Sequence, residues 1–347
     1  MKSFFENDAV ELTPDGKELV ILDQTLLPNQ EKYLHITTAE QLFYAITLLK
    51  VRGSHAIGIS AALGLAMCMN RFETDDLRVL EKEFLRVKKY LAISRPSAVD
   101  LFTDLNRMES CFYEQMSCAE EGSEAAIARI KDRLTAEARN IKLEKIKTCL
   151  AIAEYGFGLM KPGACIMTYC NAGHLAVSRY GTALGPIFLA QENGYMPKVF
   201  VCETRPLLQG ARLTAYELSK AGVDATLICD NMASIVMSRK KVDMIFVGAD
   251  TVAANGDVVN KVGTSGLAIL AAHYGVPFYV LCPSQTIDMG RPTGHNVKIE
   301  ERPGYEVTEM YFEKPSAPIG TKVYNPAFDV TPAALITGII TENGISK

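Results

Sequence analysis

The stretch TYCNAGH, residues 168–174, places a cysteine just past the apolar run ACIMTY. Inside a strand a cysteine packs as a small hydrophobe, but at a strand end Cys170 faces solvent or ligand, and its thiolate is the reactive form. The NAG that follows predicts backbone N–H groups at the start of the next helix beside the thiol, which favour that thiolate. Asp250 ends a second apolar run, MIFVGAD. A carboxyl leaving such a strand is expected to be partly desolvated and to keep its proton near neutral pH, as a general acid must. A thiol and a carboxyl at one sheet edge can act as base and acid. Each also has a plain reading: a buried structural thiol among nine cysteines, and a turn or N-cap aspartate.

Candidate anion contacts recur in loops before helices. VRGSHAIGIS sets Arg52, Gly53 and Ser54 ahead of a helix that begins with small residues, a combination suited to an anion at a helix N-terminus. SRPSAVDL offers Arg95 in an X-Pro loop, and ETRPLLQGARLTAYEL carries Arg205, Gln209 and Arg212 around a helix start. AANGDVVNKVGTSG supplies Asn260 and Lys261 in a glycine-rich loop before another helix, where a lysine can neutralise phosphate. Ordinary turns, caps, salt bridges and solvated side chains are the competing readings. His55, His174, His273 and His295 are scattered, and no CxxC or Cys/His ligand spacing occurs, so no metal is expected. Neither GxGxxG after a strand nor GxxxxGK[ST] is present, so no nucleotide cofactor is expected.

These residues need a scaffold, and composition bounds it. With 347 residues, 48% hydrophobic and 22% charged, the chain has room for two soluble domains. A net charge of −4 gives no basic footprint for nucleic acid, and no uncharged apolar run of about 18 residues implies a membrane span. The start, MKSFFENDAVEL, turns acidic early and lacks the apolar core of a secretory signal. Free thiols in a reducing cytoplasm are therefore expected rather than disulfides.

The segment ELVILDQTLLPNQEKYLHI alternates as strands do, with Pro28-Asn29 as a turn, and predicts a small antiparallel sheet. From Thr38 to about Glu154 the apolar spacing is helical, ending in the amphipathic stretch IARIKDRLTAEARNIKLEKIKTCLAIAEYG. Beyond Lys161 the runs ACIMTY, KVFVC, ATLIC, VDMIFVG and PFYVLC alternate with helical segments, as βαβ units require. Ligands of such sheets bind outside the carboxyl ends of the strands. Here those ends carry Cys170-Asn171, Glu203-Thr204-Arg205, Asp230-Asn231, Gly248-Ala249-Asp250 and Pro283-Ser284. A last helix is predicted in DVTPAALITGIITENG, with Thr331 as N-cap and Pro332 as its first residue.

Taken together, VRGSHAIGISAALG, SRPSAVDL, TYCNAG, VCETRPLLQGARLTAYEL, DNMASIVM, VGADTVAANGDVVNKVGTSGLAILA, CPSQTID, IEERP and NPAFDVTPAALIT resemble the methylthioribose-1-phosphate isomerases. They occur in the same order along nearly the whole chain. The resemblance implies an α/β fold: a small N-terminal domain of antiparallel strands plus helices, then a Rossmann-like catalytic domain with a mostly parallel sheet. We place these over residues 1–130 and 131–347. It also implies a homodimer and a cofactor-free conversion of 5-methylthioribose 1-phosphate to its ketose, in methionine salvage.

Phosphate on the anomeric oxygen prevents spontaneous ring opening, so an acid must act on the ring oxygen. The resemblance makes Asp250 that proton donor. It makes Cys170 the catalytic cysteine, which moves a proton between C2 and C1 or stabilises the charge that develops. Phosphate and sugar contacts carry over to Arg52, Gly53, Ser54, Arg95, Gln209, Asn260 and Lys261. Three departures stand out: Ser54-His55 where the family has Ala-Pro, Tyr169 where it has His, and Asp100 where it has Asn. They leave the catalytic pair intact but bear on the 5-substituent, so a 5-deoxyribose 1-phosphate isomerase is the alternative. Ribose 1,5-bisphosphate isomerases would need further cationic groups. A non-catalytic regulatory subunit of the eukaryotic translation-initiation exchange factor has this fold but need not keep both Cys170 and Asp250, and a nicotinamide-dependent dehydrogenase would need the glycine fingerprint that this chain lacks.

Overall fold

A computed structural model describes residues 8–96, 98–118 and 124–347. It divides into two compact units, Met1–Lys147 with His174–Arg179, and Thr148–Gly173 with Tyr180–Lys347.

In the first unit, strands β1 (Val10–Leu12), β2 (Leu19–Leu22) and β3 (Tyr33–Ile36) form the expected antiparallel sheet in sequential order. Helices α1 (Ala39–Thr47), α2 (Ser54–Arg71), α3 (Leu77–Ala92), α4 (Val99–Ser117) and α5 (Glu124–Phe157) follow. Thr38 caps α1 by accepting the Gln41 N–H, and Asp76 caps α3. In α3, Leu77, Leu80, Phe84, Val87 and Leu91 recur at three- and four-residue steps and bury one face, while α2 is buried from Ala56 through Met67 and forms the centre of this core. The long charged stretch is one helix, α5, and the division between the units falls within it.

The second unit holds β4 (Cys165–Thr168), α6 (Gly185–Glu192), β5 (Lys198–Cys202), α7 (Ala215–Lys220), β6 (Asp224–Ile228), α8 (Ala233–Ser238) and β7 (Met244–Val247). Then come β8 (Thr251–Ala253), β9 (Val258–Lys261), α9 (Thr264–Tyr274), β10 (Phe278–Leu281), β11 (Ile287–Asp288), α10 (Tyr305–Thr308), β12 (Phe328–Thr331), β13 (Gly338–Thr341) and β14 (Gly344–Ser346). The main sheet runs β14-β13-β10-β7-β4-β5-β6 and is parallel except for β14. All five expected apolar runs are strands in it. A smaller mixed sheet, β11-β8-β9-β12, carries the segment after Asp250.

Two local expectations are corrected. The predicted last helix is instead the end of β12, a 3-10 turn at Ala333–Leu335 and the pair β13–β14. Ile339 and Ile340 pair in parallel with Val280 and Leu281. A buried sheet edge therefore outweighs a local Thr-Pro helix signal. Asn260 and Lys261 do not lie in a loop either: they are the last two residues of β9, paired with Asp329 and Phe328 of β12.

Candidate active site

The chain winds outward from β4 through β5 to β6, then crosses to β7 on the other side of β4 and continues to β10 and β13. The connections therefore diverge between β4 and β7, which leaves a crevice at the carboxyl ends of those strands where ligands of such sheets bind. Thr168 pairs with Phe246. Cys170 and Gly248 thus leave neighbouring strands side by side, with Asp250 two residues further on. A β-carbon at Gly248 would lie 3.0 Å from that of Ala172, so the two departing chains run in close approach.

Cys170 is half-buried and left-handed, with φ +64°. No helix starts beside it, contrary to expectation, because the next one, α6, begins at Gly185. Its backbone is instead held from both sides. The Cys170 N–H donates to Thr204 Oγ1 at 2.8 Å, and Thr214 Oγ1 donates to the Cys170 carbonyl at 2.6 Å. Thr204 is itself left-handed, at φ +66°, an uncommon state for a β-branched residue. Its N–H and that of Arg205 each donate to the Asp230 carboxylate, at 2.7 Å. Asn171 donates its amide to buried Glu217 at 2.7 Å and to Thr214 Oγ1 at 3.2 Å. Each left-handed residue costs about 1–3 kcal/mol, which persists because the surroundings over-determine it.

The Asp250 N–H donates to the carbonyl of Val259 at 3.0 Å, which fixes the turn into β8. Asp250 is exposed.

Asn260 and Lys261 are buried. Asn260 donates to Thr264 Oγ1 at 3.1 Å, and the Lys261 ammonium lies 5.1 Å from the centre of the Phe328 ring. Asp329 accepts the N–H groups of Gly263 and Ser265, capping α9, and burial raises its carboxyl above the usual range. Tyr169 connects this turn to Cys170. Its hydroxyl donates to the Val262 carbonyl at 3.0 Å and reaches Asp230 at 3.4 Å, and burial pushes the phenol pKa up. A β-carbon at Gly263 would stand 2.0 Å from that hydroxyl. The Tyr169 departure therefore bridges two site loops.

Gln209 is buried, and its Oε1 has no hydrogen-bond partner among the described residues. Such an orphan costs about 1–3 kcal/mol unless a ligand donor satisfies it. The one-turn π-helix that follows, Gly210–Thr214, packs so tightly that a β-carbon at Gly210 would come 1.8 Å from the Cys202 carbonyl oxygen.

Arg52, Gly53, Ser54 and Arg95 belong to the first unit; Cys170, Gln209, Asp250, Asn260 and Lys261 belong to the second. Gly53 caps α2 at φ +90°, and a β-carbon there would meet the Ala176 carbonyl oxygen at 2.4 Å. Ser54 donates its hydroxyl to Asp100 at 2.6 Å, and Arg52 and Arg95 are half-buried. Thr214, Glu217 and Asp329 escaped the sequence reading. An acid within the apolar spacing of LTAYEL is the one signal that could have exposed Glu217.

The model of the initiation factor 2 subunit family matches residues 50–347. The chain belongs to this family. A methylthioribose-1-phosphate isomerase of Symbiobacterium thermophilum is 55% identical over 340 residues, covering 98% of this chain and 93% of that protein. A 5-deoxyribose 1-phosphate isomerase of Petrotoga mobilis is 51% identical, covering 97% and 94%. The crystal structure of 5-methylthioribose 1-phosphate isomerase from Pyrococcus horikoshii OT3 superposes with a TM-score of 0.91 at 37% identity, covering 99% and 93%. The resemblance read from the motifs, and the fold class it implied, are borne out. Among the described residues no helix is long and apolar enough to cross a membrane.

Proposed function

We propose that this chain is an aldose–ketose isomerase that converts 5-methylthioribose 1-phosphate to 5-methylthioribulose 1-phosphate in methionine salvage, as a cytoplasmic homodimer without a nucleic-acid partner. The observation that carries this reading is the departure of Cys170 and Asp250 from adjacent strands where the sheet's connections diverge, in a chain so close to proteins named as isomerases.

Asp250 gives a proton to the ring oxygen, which lets the C1–O bond of the furanose break although phosphate blocks the anomeric oxygen. The C2 proton then leaves to give an enol phosphate and C1 receives a proton, with Cys170 as the group that moves it, while the C2 hydroxyl proton leaves and restores the Asp250 carboxyl. The product carries a C2 ketone and a CH2–O–phosphate at C1. The aldose is reduced at C1 and oxidised at C2, so no outside oxidant or reductant is consumed. Arg52, Gly53, Ser54, Arg95 and Lys261 hold the phosphate, while Gln209 and Asn260 hold sugar hydroxyls. The orphaned Gln209 oxygen is suited to accept from one of them.

The test is a proton NMR time course on purified protein in deuterated buffer, with 5-methylthioribose 1-phosphate and 5-deoxyribose 1-phosphate side by side. Ketose formation supports the reading, the kcat/KM ratio assigns the 5-substituent, and deuterium at C1 distinguishes proton transfer from a hydride shift. Cys170→Ser and Asp250→Asn are each expected to abolish turnover in a folded protein. Full turnover in either overturns the assignment.

A further inference from the structure

Two of the departures from the family pattern, Ser54-His55 and Asp100, meet in space. Ser54 opens α2 directly after Gly53, and Asp100 lies in the first turn of α4, which follows the Arg95 turn. That turn is closed by the Ala98 N–H donating to the Arg95 carbonyl at 3.0 Å. The Ser54 hydroxyl donates to Asp100 Oδ2 at 2.6 Å and accepts the Asp100 N–H at 3.3 Å. His55 Nδ1 lies 2.7 Å from Asp100 Oδ1. Lys145 of α5 completes the group, bonding Asp100 and lying 3.1 Å from Asp104 Oδ2.

Burial alone would raise the Asp100 pKa, but His55 and Lys145 hold it well below the carboxylate range. Burial and the Asp100 charge push Asp104 the other way. One turn further along, a β-carbon at Gly58 would sit 2.2 Å from Asp104 Oδ2 and 2.9 Å from the Asp100 carbonyl oxygen. The two helix starts are therefore locked both by charge-assisted bonds and by close backbone approach.

We propose that Asp100, acting with Ser54 and His55, is a positioning residue that ties the Arg52–Gly53 loop to the Arg95 loop, so that the two arginines present one preset grip to the substrate's phosphate. This rests on the reading of both arginines as phosphate contacts. A hydrogen-bonded carboxylate fixes register more strictly than apolar packing would, because both of its oxygens have assigned donors.

The experiment measures KM for 5-methylthioribose 1-phosphate and the inhibition constant of inorganic phosphate in Asp100→Asn and His55→Gln, with Arg52→Ala alongside and folding checked by circular dichroism. Misplacing the grip raises KM and the phosphate constant together by about tenfold or more while kcat stays within about threefold. The double variant His55→Gln/Asp100→Asn should be no worse than Asp100→Asn alone, as expected of one coupled unit. A merely structural role would lower the melting temperature and leave both constants unchanged in the folded protein, which overturns the proposal. His55→Gln carries the test if Asp100→Asn does not fold. If Arg52→Ala leaves the phosphate constant unchanged, the arginine reading itself fails. If Arg52→Ala raises it and neither cluster variant does, the positioning role alone fails.

Discussion

Thr204→Val isolates the clamp on Cys170. Valine keeps the shape and β-branching of a fully buried side chain, so the backbone strain at position 204 is the same and only the hydroxyl is lost. That hydroxyl accepts the Cys170 N–H at 2.8 Å and donates to the Cys202 carbonyl at 3.0 Å. Leaving a buried donor unsatisfied costs about 1–3 kcal/mol. Holding Cys170 left-handed costs about the same, so the lost bond is comparable to the strain it restrains. At about 1.4 kcal/mol per decade, the equilibrium favouring the correctly placed Cys170 falls roughly 5- to 150-fold. Accordingly, kcat should fall by up to about 5- to 150-fold with KM little changed, because phosphate contacts made equally in substrate and transition state are untouched. Thr204→Ser keeps the hydroxyl and should stay near wild type. Initial-rate kinetics are paired with the rate of Cys170 alkylation by iodoacetamide, followed by peptide mass spectrometry to separate it from the other thiols. A folded valine variant with wild-type kcat, or a serine variant as impaired as the valine one, refutes the reasoning.

Gly263→Ala should be strongly destabilising, by about 2 kcal/mol or more, because φ is +103° and the new carbon would stand 2.0 Å from the Tyr169 hydroxyl; an unchanged melting temperature contradicts this. Lys261→Ala and Arg95→Ala should mainly raise KM, since a phosphate grip is largely uniform binding, and a pure kcat effect in steady-state kinetics argues against that role. Burial lowers the His174 pKa from 6.5 to about 4. The unfolded chain therefore binds the extra proton first as pH falls. Stability is full above pH 6.5 and drops by about 1.4 kcal/mol per pH unit down to about pH 4, a loss that His174→Gln should flatten in urea titrations.

Much of the fold was legible because it follows from periodicity. Runs such as KVFVC and VDMIFVG are short, apolar and spaced by helical segments, and a parallel sheet is the arrangement that buries such strands on both faces. The small antiparallel sheet at the start and the helical character of the α5 stretch, readable as one helix or two, were legible for the same reason. The last segment was misread because its fate is decided elsewhere. Thr331-Pro332 is a sound local helix start, yet Ile339 and Ile340 gain more by pairing with β10 than an isolated helix turn would give. Asn260 and Lys261 were misplaced likewise, since a strand of four residues between glycines is recognised through its partner β12 and not from its own sequence.

The site divides along the same line. Which residues gather at the strand ends could be read in advance, because the end of each apolar run marks the edge where ligands bind. What holds Cys170 could not, because none of it is local: Thr204 and Thr214 lie 34 and 44 residues away in sequence, and Tyr169 reaches across 93 residues to Val262. Sequence reasoning supplied a nearby source of thiolate stabilisation, the start of the next helix, and the structure replaces it with two threonines from neighbouring elements. The difference has a mechanistic consequence. A helix terminus would act on the thiol's charge, whereas the threonine clamp acts on the backbone and fixes where the sulfur points. Loss of the clamp should therefore appear in kcat through misplacement. The pH at which the rate rises should stay the same in Thr204→Val, and a pH–rate profile displaced by a full unit would restore the electrostatic explanation.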